Sequence, residues 1–116
     1  MEYKIILAKQ SDCAQLSKIK REVWETTYRG IYPDKKIDNY DFYENEKYFE
    51  NIIKNNDIDL FVVKKNEKVI GYMSVGRPLR EYRSYGQEIG LFYILKEFQR
   101  QGIGRKLFNI AYKIIK

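Results

Sequence analysis

The chain has 116 residues, enough for one hydrophobic core and too few for two. Hydrophobic residues at 44% and charged residues at 33% are ordinary for a globular protein, and no run approaches the roughly 20 apolar residues of a membrane span. The net charge of +6 favours anionic partners without choosing among them, while the absence of histidine excludes Ser-His and Cys-His nucleophile pairs and imidazole zinc sites.

The opening residues Met1, Glu2, Tyr3 and Lys4 lack the basic stretch and long apolar core of a signal peptide. Residues 3–9 (YKIILAK) predict a short, mostly buried strand. Ser11 and Asp12 offer a helix N-cap, and Leu16, Ile19, Val23, Trp24 and Thr27 recur at helical spacing, so one amphipathic helix is expected over 12–28. The lone Cys13 lies early in that helix as a small packed residue. It can form no internal disulfide and suits a reducing cytoplasm, and with no second cysteine a metal site is not expected. Gly30 and Pro33 break the helix. A second helical region is clearest at Tyr48, Phe49, Ile52 and Ile53, and stops at the polar run 54–57.

A hairpin follows, with strands at 60–63 and 69–75 about a turn at Asn66 and Glu67. Residues 77–87 (RPLREYRSYGQ), which include Arg77, Arg80 and Arg83, read as a polar, mobile, solvated loop. Residues 89–95 form the most apolar strand, expected to be central and covered on both faces. Gly102, Ile103 and Gly104 then open a helix with Leu107, Phe108, Ile110, Ala111 and Ile114 on its buried side. The order β-α-α-β-β-β-α, without repeat or linker, predicts a single mixed α/β domain over 1–116.

The sharpest local signal is the passage from that strand into the last helix. Two glycines separated by one residue let the backbone approach a ligand closely. The first N–H groups of a helix lack internal partners and lie at the positive end of its dipole, which makes an anion site. Arg100, Arg105 and Lys106 add positive charge around it. The same residues also describe a plain strand-to-helix turn with a solvated basic rim. No G-K-[ST] follows for a Walker loop, and no third glycine completes a dinucleotide fingerprint.

The run Gln99-Arg100-Gln101-Gly102-Ile103-Gly104 resembles the Q/R-x-x-G-x-G/A signature of the GNAT N-acetyltransferase superfamily. The preceding Leu91-Phe92-Tyr93-Ile94-Leu95 looks like that family's fourth strand. Trp24 with 28–33 resembles a W-x-x-x-Y-x-G-I-x-P pattern of the same superfamily. The resemblance covers the whole chain, closely from about residue 88 and loosely before it. It implies an α/β fold with a GNAT-like mixed sheet and acetyl-CoA as cosubstrate. Amides of residues 100–105, together with Gln99, would hold the pyrophosphate. Backbone groups of Phe92, Tyr93 and Ile94 would pair with pantetheine, and the Ile94 amide, near a bulge, would face the thioester carbonyl.

The resemblance also implies an amine acceptor, a small molecule or a peptide, with Trp24, Tyr28 and Tyr32 lining its pocket. Helix-face packing describes the same three residues. Glu88 is the candidate general base, acting through water, with a strand-start surface carboxylate as its alternative. Tyr93 is a candidate proton donor that also reads as a core tyrosine. Chains of this family continue into further strands and a helix that the sequence ends before, so an open sheet edge and a homodimer across it are expected. A CoA-binding remnant without turnover is the second reading. A basic nucleic-acid-binding protein ranks last, since no DNA- or RNA-reading motif accompanies the charge and nucleic acid is not an expected partner.

Overall fold

The computed structural model describes residues 2–76 and 88–115, and the loop expected over 77–87 lies outside the described residues. Strand β1 (Lys4–Leu7) leads through a 3-10 turn (Gln10–Asp12) into helix α1 (Cys13–Val23), which runs on as a π-helical turn (Trp24–Tyr28). The short helix α2 (Asp34–Asp38) and helix α3 (Phe42–Lys54) follow. Strands β2 (Ile58–Lys65), β3 (Lys68–Gly76) and β4 (Glu88–Ile94) precede a 3-10 turn (Lys96–Phe98) and helix α4 (Ile103–Ile115).

The described strands form one sheet in the order β1-β2-β3-β4, and every pairing is antiparallel. The α/β class is the expected one, but the mixed pairing is not found among these strands. Each neighbour in the sheet is also the neighbour in sequence, and each connection reverses the chain. Asn66 and Glu67 form the expected hairpin turn with φ of 52° and 69°, the left-handed values of a two-residue turn.

Helices α1 and α3 pack on each other, α1 against β3 and α3 against β2, while α4 packs against β3 and β4. Phe49 of α3 meets Tyr72 edge-on at 5.5 Å, and Tyr72 neighbours Tyr93 at 6.2 Å, so both tyrosines face α1 and α3. Phe92 and Ile94 face α4, as the alternation of a strand requires. The strand covered on both faces is therefore β3, buried from Val69 to Gly76. The expectation that 89–95 would be central is corrected. With β2 and β4 on either side, β3 holds that place, and β4 is an edge of the sheet with Phe92 45% exposed.

Three further expectations change. The helix foreseen over 12–28 is divided between α1 and the π-helical turn, and Asp12 does not cap it through its side chain. Asp12 instead accepts the Lys9 N–H at 2.8 Å and pairs with Lys64 of β2 at 2.7 Å, both carboxylate and ammonium being nearly buried. Asp41 supplies a true cap for α3, accepting the Glu44 N–H at 3.0 Å. On α4 the buried stripe is Ile103, Leu107 and Ala111, whereas Phe108, foreseen as buried, is 56% exposed beside Tyr112.

Candidate functional site

The open edge of β4 and the turn that enters α4 adjoin each other. Leu95 donates its N–H to the Ile70 carbonyl at 2.9 Å, which makes Tyr93 and Tyr72 a hydrogen-bonded pair and turns Tyr93's backbone groups into the sheet. By the same alternation Phe92 and Ile94 point their N–H and C=O groups to the open side. Gln99 donates its side-chain amide to the Ile94 carbonyl at 2.8 Å. The Ile94 N–H remains as a donor whose neighbouring acceptor is already engaged, a position that suits an oxygen.

The bulge expected near Ile94 lies further upstream. The register passes from Ser74–Leu91 to Val75–Ile89, so Gly90 is the extra residue, and Leu91 donates its N–H to Ser74 Oγ at 2.9 Å in place of a ladder bond.

In the turn, Arg100 has φ of 64° and Gly102 of 86°. These left-handed values aim successive amides toward one side ahead of the helix. Lys106 makes the first bond to this turn, to the Gly102 carbonyl at 3.2 Å. The amides of Ile103, Gly104 and Arg105 have no backbone acceptor among the described residues. Space beside Gly102 is open, with nothing within 4 Å of where a Cβ would stand. At Gly104 a Cβ would touch Ile94 Cδ1 at 3.5 Å and Phe92 Cζ at 3.8 Å, which places the first turn of α4 directly on the two outward residues of β4. Gln101 and Arg105 are exposed, and Gln101 reaches back to the Glu97 carbonyl at 3.4 Å. Lys106, expected to add charge here, lies over the Tyr3 ring at 5.1 Å. A cradle of free amides, one exposed arginine on each side and an open donor row beside it can hold a phosphate ester with an extended tail.

On the opposite face Tyr93 approaches the end of α1. Burial raises its phenol pKa, the Glu22 carboxylate adds to the rise, and a hydrogen bond with the Thr26 side chain partly offsets both. At neutral pH it is therefore a proton carrier with its proton in place. Glu22, Leu95 and Glu97 line a cavity of about 280 Å³ on this face. Glu88 pairs with Gly76 at the far end of β4. It stands roughly 20 Å along the strand from Ile94, at about 3.3 Å per residue.

Trp24, Tyr28 and Tyr32 come together in an aromatic shelf. Tyr28 and Tyr32 stack at 4.6 Å with planes 9° apart, and Trp24 meets Tyr32 edge-on at 5.7 Å. The shelf is clamped by Arg29, which donates to both oxygens of Glu25 at 2.7 Å, to Asp38 at 2.9 Å and to Asp34 at 3.3 Å. Gly30, with φ of 93°, permits the tight return that bridges Arg29 to Tyr32. Glu22, Thr26 and Arg29 were not singled out in the sequence. The available signal was the i, i+4 spacing of Glu22 with Thr26 and of Glu25 with Arg29, which any helix surface also shows.

No group of three His, Cys, Asp or Glu side chains is placed to hold a metal ion among the described residues. No helix among them is long and apolar enough to cross a membrane.

A model of the acetyltransferase (GNAT) family matches residues 17–116. The uncharacterized N-acetyltransferase YuaI of Bacillus subtilis (strain 168) is 33% identical over 102 residues, covering 86% of this chain and 57% of that protein. The chain thus spans little more than half the length of its curated relative. PaiA N-acetyltransferase from Thermoplasma acidophilum, solved in complex with coenzyme A, superposes with a TM-score of 0.78 at 25% identity, over 99% of this chain and 72% of that one. A ribosomal-protein-alanine N-acetyltransferase from Brucella melitensis shares the fold with a TM-score of 0.72 at 23% identity, over 97% and 66% of the two chains.

Proposed function

Because the chain belongs to the GNAT family of acetyltransferases, we propose that it moves an acetyl group from acetyl-CoA to an amine. The observation that carries this reading is the contact of the amide cradle at Gly102–Arg105 with the outward residues Phe92 and Ile94. A pyrophosphate in the cradle would leave its pantetheine to run along the open edge, where Phe92 offers a donor and an acceptor and Ile94 a donor alone. The PaiA enzyme, which shares this fold, was solved in complex with coenzyme A, and this supports coenzyme A as the ligand.

Acetyl-CoA supplies an activated thioester, and the chain's own groups do the rest. The Ile94 N–H stabilises negative charge developing on the thioester oxygen. The amine nitrogen forms the new bond to carbon, the carbon–sulfur bond breaks, and the nitrogen sheds a proton. Two carboxylates can take that proton. Glu88 lies upstream on β4 and acts only through a chain of waters, whereas the Glu22 carboxylate is near enough to the Tyr93 phenol to raise its pKa. Tyr93, which keeps its proton at neutral pH, would return a proton to the departing thiolate. Trp24, Tyr28 and Tyr32 receive the acceptor on this face. The open β4 edge supports pairing with a second copy, and the single buried Cys13 suits work in a reducing cytoplasm.

Calorimetric titration of acetyl-CoA tests the reading, with Gly104→Glu and Gly104→Ala beside the parent chain. A carboxylate in the cradle is expected to abolish binding. Alanine, whose Cβ meets only ordinary contacts, should bind within a few fold of the parent. Absence of binding by the folded parent chain, or equal binding by Gly104→Glu, overturns the assignment. Once an acceptor is in hand, Glu22→Gln and Glu88→Gln separate the two bases. Loss of the true base should lower kcat on the order of 100-fold at neutral pH.

A further inference from the structure

Lys36 reaches from α2 over the ring of Tyr32, with Nζ 4.4 Å from its centroid and 5.6 Å from that of Trp24. Lys20 approaches the same indole from α1, at 5.8 Å, and lies 4.0 Å over Tyr48. Two primary ammonium groups of the chain therefore converge on one aromatic cluster. The electron-rich face of Trp or Tyr attracts a cation, most strongly where water is partly excluded.

The two lysines differ in what holds them. Lys20 is half-buried between helices α1 and α3, and desolvation lowers its pKa, so it is part of the packing. Lys36 is exposed on a helix of five residues. Its ammonium can leave the shelf for water at little cost, and the ring it leaves stays in position. Tyr32 is stacked on Tyr28, buttressed by Trp24 and fixed in the chain by the Arg29 clamp. Within the clamp Glu25, Asp34 and Asp38 contribute three negative charges against two positive ones from Arg29 and Arg21. With Lys36 withdrawn, Lys20 brings these charges to balance, so it is the ring faces that draw the cation.

Resting on the assignment of this face to the acceptor, we infer that the Trp24–Tyr32 shelf is a binding site for a primary ammonium group. Lys36 fills it in the free chain, and the acceptor amine arrives as its ammonium form and displaces Lys36. Lys36 is then a specificity-determining residue, since only a cation that competes with it is admitted.

Trp24 is the single tryptophan, so its emission reads the shelf directly. The experiment titrates n-butylammonium chloride into the parent chain, Lys36→Met and Tyr32→Leu, with n-butanol and potassium chloride as controls. The expected result is a saturable change with butylammonium, absent with butanol and salt, whose midpoint falls several-fold in Lys36→Met and which Tyr32→Leu loses. A midpoint in Lys36→Met that is unchanged or higher, or a response to butanol equal to that of butylammonium, overturns the inference. Should Tyr32→Leu fail to fold by circular dichroism, the comparison of the parent with Lys36→Met decides alone. Nα-acetyl-lysine amide, titrated in parallel, separates the two sources of the group: response to it assigns a lysine side chain, and response to butylammonium alone assigns a small free amine. Acetyl-CoA calorimetry on the same preparations keeps the two readings apart. Cofactor binding without an ammonium response sinks only the shelf, and an ammonium response without cofactor binding sinks only the transferase.

Discussion

Burial of the Cys13 thiol pushes its pKa from an ordinary 9.0 up to about 11, with Glu50, Asp12 and Glu46 adding to the rise. The same cause raises the phenols of Tyr40 and Tyr72. A folded pKa above the unfolded one means that stability is fully present below about pH 9 and is lost as pH climbs through about 11. Denaturant unfolding at a series of pH values should show this alkaline decline, and Cys13→Ala should make it shallower whatever its effect on absolute stability. The Asp12–Lys64 pair behaves differently, because both charges are nearly buried and each is the other's compensation. Lys64→Met should cost about 3 kcal/mol by stranding the carboxylate, and the double change Asp12→Leu with Lys64→Met should recover part of that loss. The proposed anion cradle was legible at this scale because a glycine pattern and its amides are local in sequence. The engagement of the Ile94 carbonyl by Gln99 was not, since the signature names the glutamine without saying where its amide goes.

At the scale of elements, β3 and β4 approach each other closely at Gly71. A Cβ there would stand 2.9 Å from the Tyr93 carbonyl oxygen and 3.4 Å from Ile94 Cα. Gly71→Ala should therefore push the end of β4 outward, destabilise the fold by about 1–3 kcal/mol, and weaken acetyl-CoA binding measured by calorimetry. The π-helical turn at Trp24–Tyr28 is held by Arg29, so Arg29→Met should shift Trp24 emission to the red as the shelf opens to water. The hairpin could be read in advance because Asn66 and Glu67 accept left-handed backbone between two apolar runs. The division of the first helix could not, since a π turn keeps the same residue types and changes only which carbonyl each N–H finds. The place of β4 was misread for a related reason. Apolarity signals removal from water, and a strand edge with a face toward α4 and a face toward α1 needs it as much as a central strand does.

Across the whole molecule, the two proposed occupants of the β4 edge exclude each other. Sedimentation equilibrium should find a dimer at high protein concentration, and saturating acetyl-CoA should convert it to monomer. A monomer at all concentrations, or a dimer indifferent to the cofactor, counts against pairing through that edge. The proposed acceptor side was the part least legible in the sequence, because Glu22 and Thr26 act on the Tyr93 phenol only when α1 and β4 are laid on the same face of the sheet. The Gln99 amide also bears on how this protein behaves in a crowded solution. An incoming strand finds its last carbonyl already taken, so templated growth meets a built-in stop at Ile94. At the opposite border β1 offers only four residues. If pairing runs through β4, that cap favours closed pairs over open stacks, and the contact that shapes the proposed ligand groove would also guard against fibrils.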